Sequence, residues 1–194
     1  MSFVIGVDLG TSAVKALLVD RDGKVRAEAS KSYPLFHEHS GWSEQRPEDW
    51  VEGTVAALRE LTASAGVRPE EIEGISFSGQ MHGLVLLDEA NRPVRNAILW
   101  NDTRTTAECR EIERALGPNL LGIARNPALE GFTLPKILWV RKHEPDAFAK
   151  AKRFVLPKDY VRYRLTGEVH MDYSDAAGTL LLDVANKRGS PEIL

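Results

Sequence analysis

At 194 residues, 43% hydrophobic and 27% charged, the chain has the balance of a soluble globular protein able to bury a core. A formal net charge of −3 excludes a strongly basic nucleic-acid or membrane-binding surface. The lone cysteine, Cys109, excludes an internal disulfide or a paired-cysteine metal knuckle. The apolar run 3–7 is cut by Asp8 too early for an export signal, and stretch 84–87 has strand length rather than membrane-spanning length. A cytoplasmic protein is therefore expected.

Residues 3–8 read as a buried strand and 13–20 as a second, leaving Gly10-Thr11-Ser12 as a tight turn. Asp22-Gly23 signals a hairpin into a third strand, 24–33. Residues 34–46 read as a loop. Pro47, Glu48 and Asp49 suit a helix start, Trp50, Val51, Val55, Leu58, Leu61 and Ala65 recur at helical spacing, and Gly66 ends the pattern. Strands are expected at 72–78, 84–88 and 94–100, then a helix over 103–116 with Cys109, Ile112 and Leu116 on one stripe. Buried there, Cys109 is expected to act as a small apolar residue. A helix at 134–142 stopping near Pro145, a strand at 154–156, a helix at 157–166 ended by Gly167, and a strand at 179–182 complete the pattern. The whole is an α/β domain: a mixed sheet beginning with an antiparallel three-stranded meander, flanked by helices.

Two segments carry chemistry. In the loop 8–15, Gly10 lets backbone approach a phosphate, Thr11 and Ser12 offer hydroxyl and N–H donors, Lys15 adds positive charge, and Asp8 can hold a hydrated Mg²⁺. It joins two strands and lacks the longer glycine run and following helix of a Walker loop. An ordinary hairpin shaped by Asp and Gly is the alternative. In segment 78–83, Gln80 and His82 can hydrogen-bond a polyol, and Gly79 and Gly83 can admit a ligand near backbone. The alternative is Met81 in the core and His82 in a local turn.

The Asp-x-Gly-Thr turn with its basic follower resembles the phosphate hairpin of the actin-like (ribonuclease H-like) ATPases. Gly41-Trp42-Ser43-Glu44-Gln45, Gly79-Gln80-Met81-His82-Gly83, Trp100-Asn101-Asp102-Thr103-Arg104, Leu134-Pro135-Lys136, Leu156-Pro157-Lys158-Asp159-Tyr160, Leu165-Thr166-Gly167 and Ser174-Asp175-Ala176-Ala177-Gly178-Thr179 closely resemble the FGGY carbohydrate kinases. The Gln-Met-His-Gly form resembles the xylulokinase branch; glycerol kinases carry Gln-Arg-Glu there. The resemblance implies ATP and Mg²⁺, and a sugar acceptor touched by Gln80, Met81 and His82 and bordered by Trp100, Asn101 and Asp102. Asp102 and Arg104 could equally cap the helix that follows. It also implies Asp8 as the catalytic and metal-associated carboxylate, with Gly10, Thr11, Ser12 and Lys15 along the phosphate path. Trp42 and Trp50 read as packing residues.

The family's general base is an aspartate in a later glycine-rich segment, so Asp175 is not assigned that role. The chain is expected to be an incomplete N-terminal domain, 1–194, whose C-terminal partner domain lies elsewhere and docks on an exposed apolar surface. No nucleic-acid or membrane partner is expected, and a homodimer stays open. Gluconate, ribulose, fuculose or glycerol kinases, a non-catalytic sugar-binding module, and an actin-like or chaperone ATPase are the alternatives.

Overall fold

β1 (Phe3–Leu9) buries Phe3, Ile5, Val7 and Leu9 and turns Val4 and Asp8 outward, the period-two pattern of a strand covered on one face. The computed structural model describes residues 2–194. β2 (Ala13–Asp20) returns antiparallel, setting Lys15 opposite Asp8, and β3 (Val25–Ser32) completes the expected meander. The turn between β2 and β3 needs Gly23, whose φ of +78° a side chain would strain. Within the expected 34–46 loop, Glu44–Gln45 form a short strand, β4.

α1 (Pro47–Ala65) has the predicted bounds. Pro47 opens it and Gly66 caps it in the left-handed region, while Trp50, Val51, Thr54, Ala57 and Leu61 are buried. After a single 3₁₀ turn at Pro69–Glu71, β5 (Ile72–Gly79) joins β1 in parallel, giving the order β3-β2-β1-β5. β3 and β5 are the edges of this sheet, and Val4 on β1, Val25 on β3 and Ile75 on β5 are exposed.

β6 (Val85–Leu87) and β7 (Ala97–Ile98) follow. The expected strand 94–100 shrinks to β7 because Pro93 has no N–H to give a ladder; only isolated bridges, Leu87 to Pro93 and Leu84 to Ile98, connect this hairpin. α2 (Thr106–Leu116) starts later than the expected residue 103, since the Asp102 carboxylate binds the backbone N–H and side chain of Arg104 and folds the preceding residues into a turn. α3 (Pro118–Ala124) was not anticipated, nor was α5 (Pro145–Lys150), which follows α4 (Thr133–His143). Each of these two unforeseen helices opens on proline, so Pro145 starts a helix as well as ending one.

β8 (Arg153–Val155) pairs with β6, β4 with β7, and α6 (Pro157–Thr166) again has the predicted bounds. The expected strand 179–182 is corrected. α7 (Tyr173–Ala177) runs into a turn over 178–180, and strand begins only at β9 (Leu182–Asp183), paired with β10 (Arg188–Gly189). The Asp172 carboxylate, accepting from the Asp175 N–H at 2.9 Å, caps α7 and commits the segment to helix.

Among the described residues, three apolar clusters hold the chain. The largest packs the inner face of β1 and β2 against Trp50, Val51, Ala57 and Leu61 of α1 and Tyr160 and Val161 of α6. The second joins α2, α3 and α4 around Cys109, Ile112 and Leu120, and the third joins β6 and β7 to Trp139 and Val140. Burial pushes the Cys109 thiol up to about 11, which suits the packing role expected of it. Among the described residues, no helix is long and apolar enough to cross a membrane.

Candidate active site

The parallel pairing of β1 and β5 puts Asp8 in register with Ser78 and Leu9 with Gly79, so the turn after β1 and the loop after β5 leave side by side. Carboxyl ends of adjacent parallel strands are where open α/β sheets bind ligands. The β1 turn is tight: the Gly10 N–H donates to Ala13 O at 3.0 Å, and the Tyr33 hydroxyl donates to Gly10 O. Burial, with the Asp8 charge adding to it, pushes the Tyr33 phenol above its ordinary range, so it stays a neutral donor there.

Asp8, Ser12 and Lys15 are exposed and Thr11 is half-buried. Asp8, Lys15, Ser76 and Ser78 line a shallow depression of about 350 Å³ on the open face of the sheet. Lys15 pairs with Glu28 on β3 at 3.0 Å, a solvated ion pair of small energetic weight. Among the described residues no group of three or more His, Cys, Asp or Glu could hold a metal alone. An open carboxylate with the Ser78 hydroxyl beside it suits a Mg²⁺ that keeps most of its waters and arrives on phosphate.

The loop after β5 is fastened to the β1 turn from beneath. The Gln80 N–H donates to Leu9 O at 2.7 Å, and a Cβ on Gly79 would lie 2.8 Å from that of Leu9. Bare glycine here therefore serves the approach of β1 to β5; likewise Pro157 occupies the space beside Gly83, 2.7 Å from where a Cβ would sit. Neither gap expected for a ligand at these glycines is open.

Gln45, fully buried, ties the parts together. Its Nε2 donates to Thr11 O at 2.7 Å and Pro34 O at 3.2 Å, and its Oε1 accepts from Trp50 Nε1 at 2.9 Å and Gln80 Nε2 at 3.1 Å. From above, Trp100 Nε1 donates to Thr11 Oγ1 at 3.0 Å. Met81, Trp100 and Asn101 stand exposed beside this junction, whereas Gln80 is buried and spends its amide nitrogen on Gln45.

His82 adopts φ +64°, uncommon for a residue with a side chain and characteristic of functional loops. Thr133 Oγ1 donates to its carbonyl at 3.0 Å, and Phe132 meets its ring edge-on at 4.8 Å between centroids. Burial, and then the nearby Lys136 charge, pull the imidazole below its ordinary value, so the ring is neutral at pH 7. Its Nδ1 is enclosed against the backbone of Gly178, which leaves Nε2 as the nitrogen able to meet a ligand.

Beneath this surface lies an ionic and aromatic support. Asp102 is buried, and its carboxylate accepts from the Ser43 N–H at 2.7 Å and from Arg104 Nε at 2.9 Å and Nη2 at 2.7 Å. The Arg104 guanidinium also meets Glu44 at 2.8 Å and lies over Trp42, 3.6 Å from the ring centroid. Asp102 thus braces the loop carrying Trp100 and Asn101 from below, and Trp42 packs on Arg104 and edge-on against Trp139.

The fully buried Lys136 donates to the carbonyls of Glu130, Gly131 and Phe132, three acceptors matching the three N–H bonds of an ammonium. Burial pulls its pKa down to about 7. Gln45 and Lys136 stood in the quoted motifs without a role, and Phe132 and Thr133 were not singled out at all. A glutamine inside a Trp-rich polar loop and a lysine on an apolar helix stripe were the available signals.

A family model described as the N-terminal domain of the FGGY family of carbohydrate kinases matches residues 3–194. A xylulose kinase of Bacillus subtilis (strain 168) is 59% identical over 193 residues, covering all of this chain and 39% of that protein. A crystal structure described as a xyloylose kinase from Brucella ovis superposes with a TM-score of 0.93 at 44% identity, over 99% of this chain and 40% of the other. A gluconate kinase structure from Lactobacillus acidophilus gives the same TM-score at 29% identity, over all of this chain and 39% of that one. The chain thus spans about two fifths of the length of the relatives it matches.

Proposed function

The chain belongs to the FGGY family of carbohydrate kinases, and we propose that it is the N-terminal part of an ATP-dependent xylulose kinase acting in the cytoplasm. The observation that carries this reading is the junction of the two loops: Trp100 Nε1 on Thr11 Oγ1 at 3.0 Å, with Gln45 joining Thr11 to Gln80 below. A phosphate-side turn and a polyol-side loop are thereby fixed as neighbours, and bringing the two reactants together is most of what phosphoryl transfer requires. The likeness to the Bacillus subtilis xylulose kinase at 59% identity supports D-xylulose as acceptor and its 5-hydroxyl as the attacking group.

In this reading Met81, His82, Trp100 and Asn101 face the sugar. Neutral His82 offers Nε2 to a hydroxyl without bringing a second positive charge. Gln80 and Asp102 hold their loops rather than the ligand, consistent with their burial. Gly10, Thr11, Ser12 and Lys15 line the phosphate path, and Asp8 would hold Mg²⁺ through water. When bound, Mg²⁺ supplies charge neutralisation on the transferring phosphate. The proton of the attacking hydroxyl needs a carboxylate base. Asp102 is engaged by Arg104, and Asp175 is paired with Lys158 at 2.9 Å, so we assign the base to another segment of the full-length protein. The adenine pocket and the closure that excludes water belong there too.

The test is ATP-dependent phosphorylation by the full-length protein of D-xylulose against ribulose, gluconate and glycerol. Preference for xylulose supports the reading. Efficient phosphorylation of one of the others with xylulose ignored moves the protein to another branch of the family.

A further inference from the structure

The Ser174–Thr179 stretch matches the family pattern, yet the phosphate and acceptor loops leave it without a task. It folds as α7, capped by Gly178, and a turn over 178–180, and the α-carbon of Gly178 faces the His82 ring. A Cβ there would lie 2.2 Å from His82 Cε1 and 2.3 Å from Nδ1, closer than side-chain atoms pack. Gly178 itself has φ −72° and ψ −4°, a conformation any residue adopts without strain. Its lack of a side chain therefore answers to the imidazole and not to the backbone.

The turn has little freedom to retreat. Lys158 on α6 pairs with both Asp172 and Asp175, the Thr179 carbonyl accepts from the Leu134 N–H at 3.0 Å, and Leu180 is fully buried in the α2–α4 cluster. The imidazole is the far end of a side chain whose backbone is also tied, through Thr133. If the two must separate, the ring moves.

We propose that Gly178 is a positioning residue: its bare α-carbon is the seat that fixes the direction of the His82 imidazole. This rests on the reading of His82 as a sugar contact only for its consequence in catalysis. Gly178→Ala pushes the ring off its seat and raises the KM for D-xylulose by about tenfold while leaving that for ATP unchanged.

The test combines Gly178→Ala, His82→Gly and the double variant in the full-length protein, with the His82 imidazole followed by NMR. Glycine suits the φ of +64° at position 82 while removing the ring. The expected result is a displaced His82 resonance in Gly178→Ala, and no further loss of stability or sugar affinity when Gly178→Ala is added to His82→Gly. If Gly178→Ala fails to fold, the seat requires that the double variant folds as His82→Gly does. An unmoved His82 resonance, or a full additional loss in the double variant, overturns the proposal. A moved resonance with unchanged sugar KM upholds the seat and removes His82 from the sugar contacts.

Discussion

The turn after β1 and the loop after β5 leave neighbouring parallel strands, but they are held in different ways. On the proposed phosphate side Asp8, Ser12 and Lys15 stand in solvent, and Lys15 pairs with exposed Glu28. On the acceptor side His82 is gripped by Thr133, Phe132 and Gly178, over a buried support of Asp102, Arg104 and Lys136. The contrast has a physical logic. A nucleotide phosphate brings its own charge and metal and needs a place more than a mould, whereas telling one polyol from another needs donors whose direction is fixed. Substitutions on the acceptor side should therefore disturb folding and sugar recognition together. On the phosphate side they should disturb turnover alone.

The most severe break should come at Lys136. Lys136→Met leaves the carbonyls of Glu130, Gly131 and Phe132 without their donor in a dry site. A loss of about 3 kcal/mol in urea unfolding is expected. Gln45→Leu should cost less, about 2 kcal/mol, but raise the KM for both sugar and ATP, because Gln45 touches both loops. If only one KM moves, the loops are not coupled through this amide.

Asp159, on the α6 that anchors the acceptor side, gives a pH signature. Burial raises its pKa from 3.8 to about 6. Between those values the folded chain keeps a proton that the unfolded chain has lost, so this residue's contribution to stability falls as pH rises from about 4 to about 6. Asp159→Asn should remove that fall and stabilise the protein at pH 7 by about 2 kcal/mol, read from unfolding midpoints at pH 4 and pH 7. The smallest effect belongs to the phosphate side: Glu28→Ala should change stability by under about 0.5 kcal/mol, as expected for a solvated pair. A larger loss would mean the hairpin is braced as firmly as the acceptor loop.

Much of the architecture could be read from local chemistry. Strand-forming runs and the Asp22-Gly23 hairpin signal gave the meander, and Pro47 with Gly66, then Pro157 with Gly167, bounded α1 and α6 to the residue. What escaped turned on local geometry that periodicity does not announce and on partners distant in sequence. Residues 94–96 carry strand-like chemistry but lose their ladder beside Pro93, and the α2 start depends on how Asp102 and Arg104 meet. The site residues were legible as motifs, while their division of labour was not. Gln80 and Asp102 read like ligand contacts in the sequence, with a cap role open for Asp102, while their bonds to Gln45, 35 residues from Gln80, and Ser43, 59 from Asp102, could not be foreseen there. Gly178 was visible as a motif glycine, but the reason for it lies on a loop near residue 82.

The most direct measurement sets Asp8→Asn against His82→Gly in the full-length protein, with D-xylulose binding followed by calorimetry and turnover by an ATP-coupled assay. Asp8→Asn should bind xylulose as the parent does while turnover falls by about a hundredfold. His82→Gly should lose sugar affinity with the KM for ATP unchanged. Equal weakening of xylulose binding by both variants, or sugar affinity untouched by His82→Gly, would contradict the division into a phosphate side and an acceptor side.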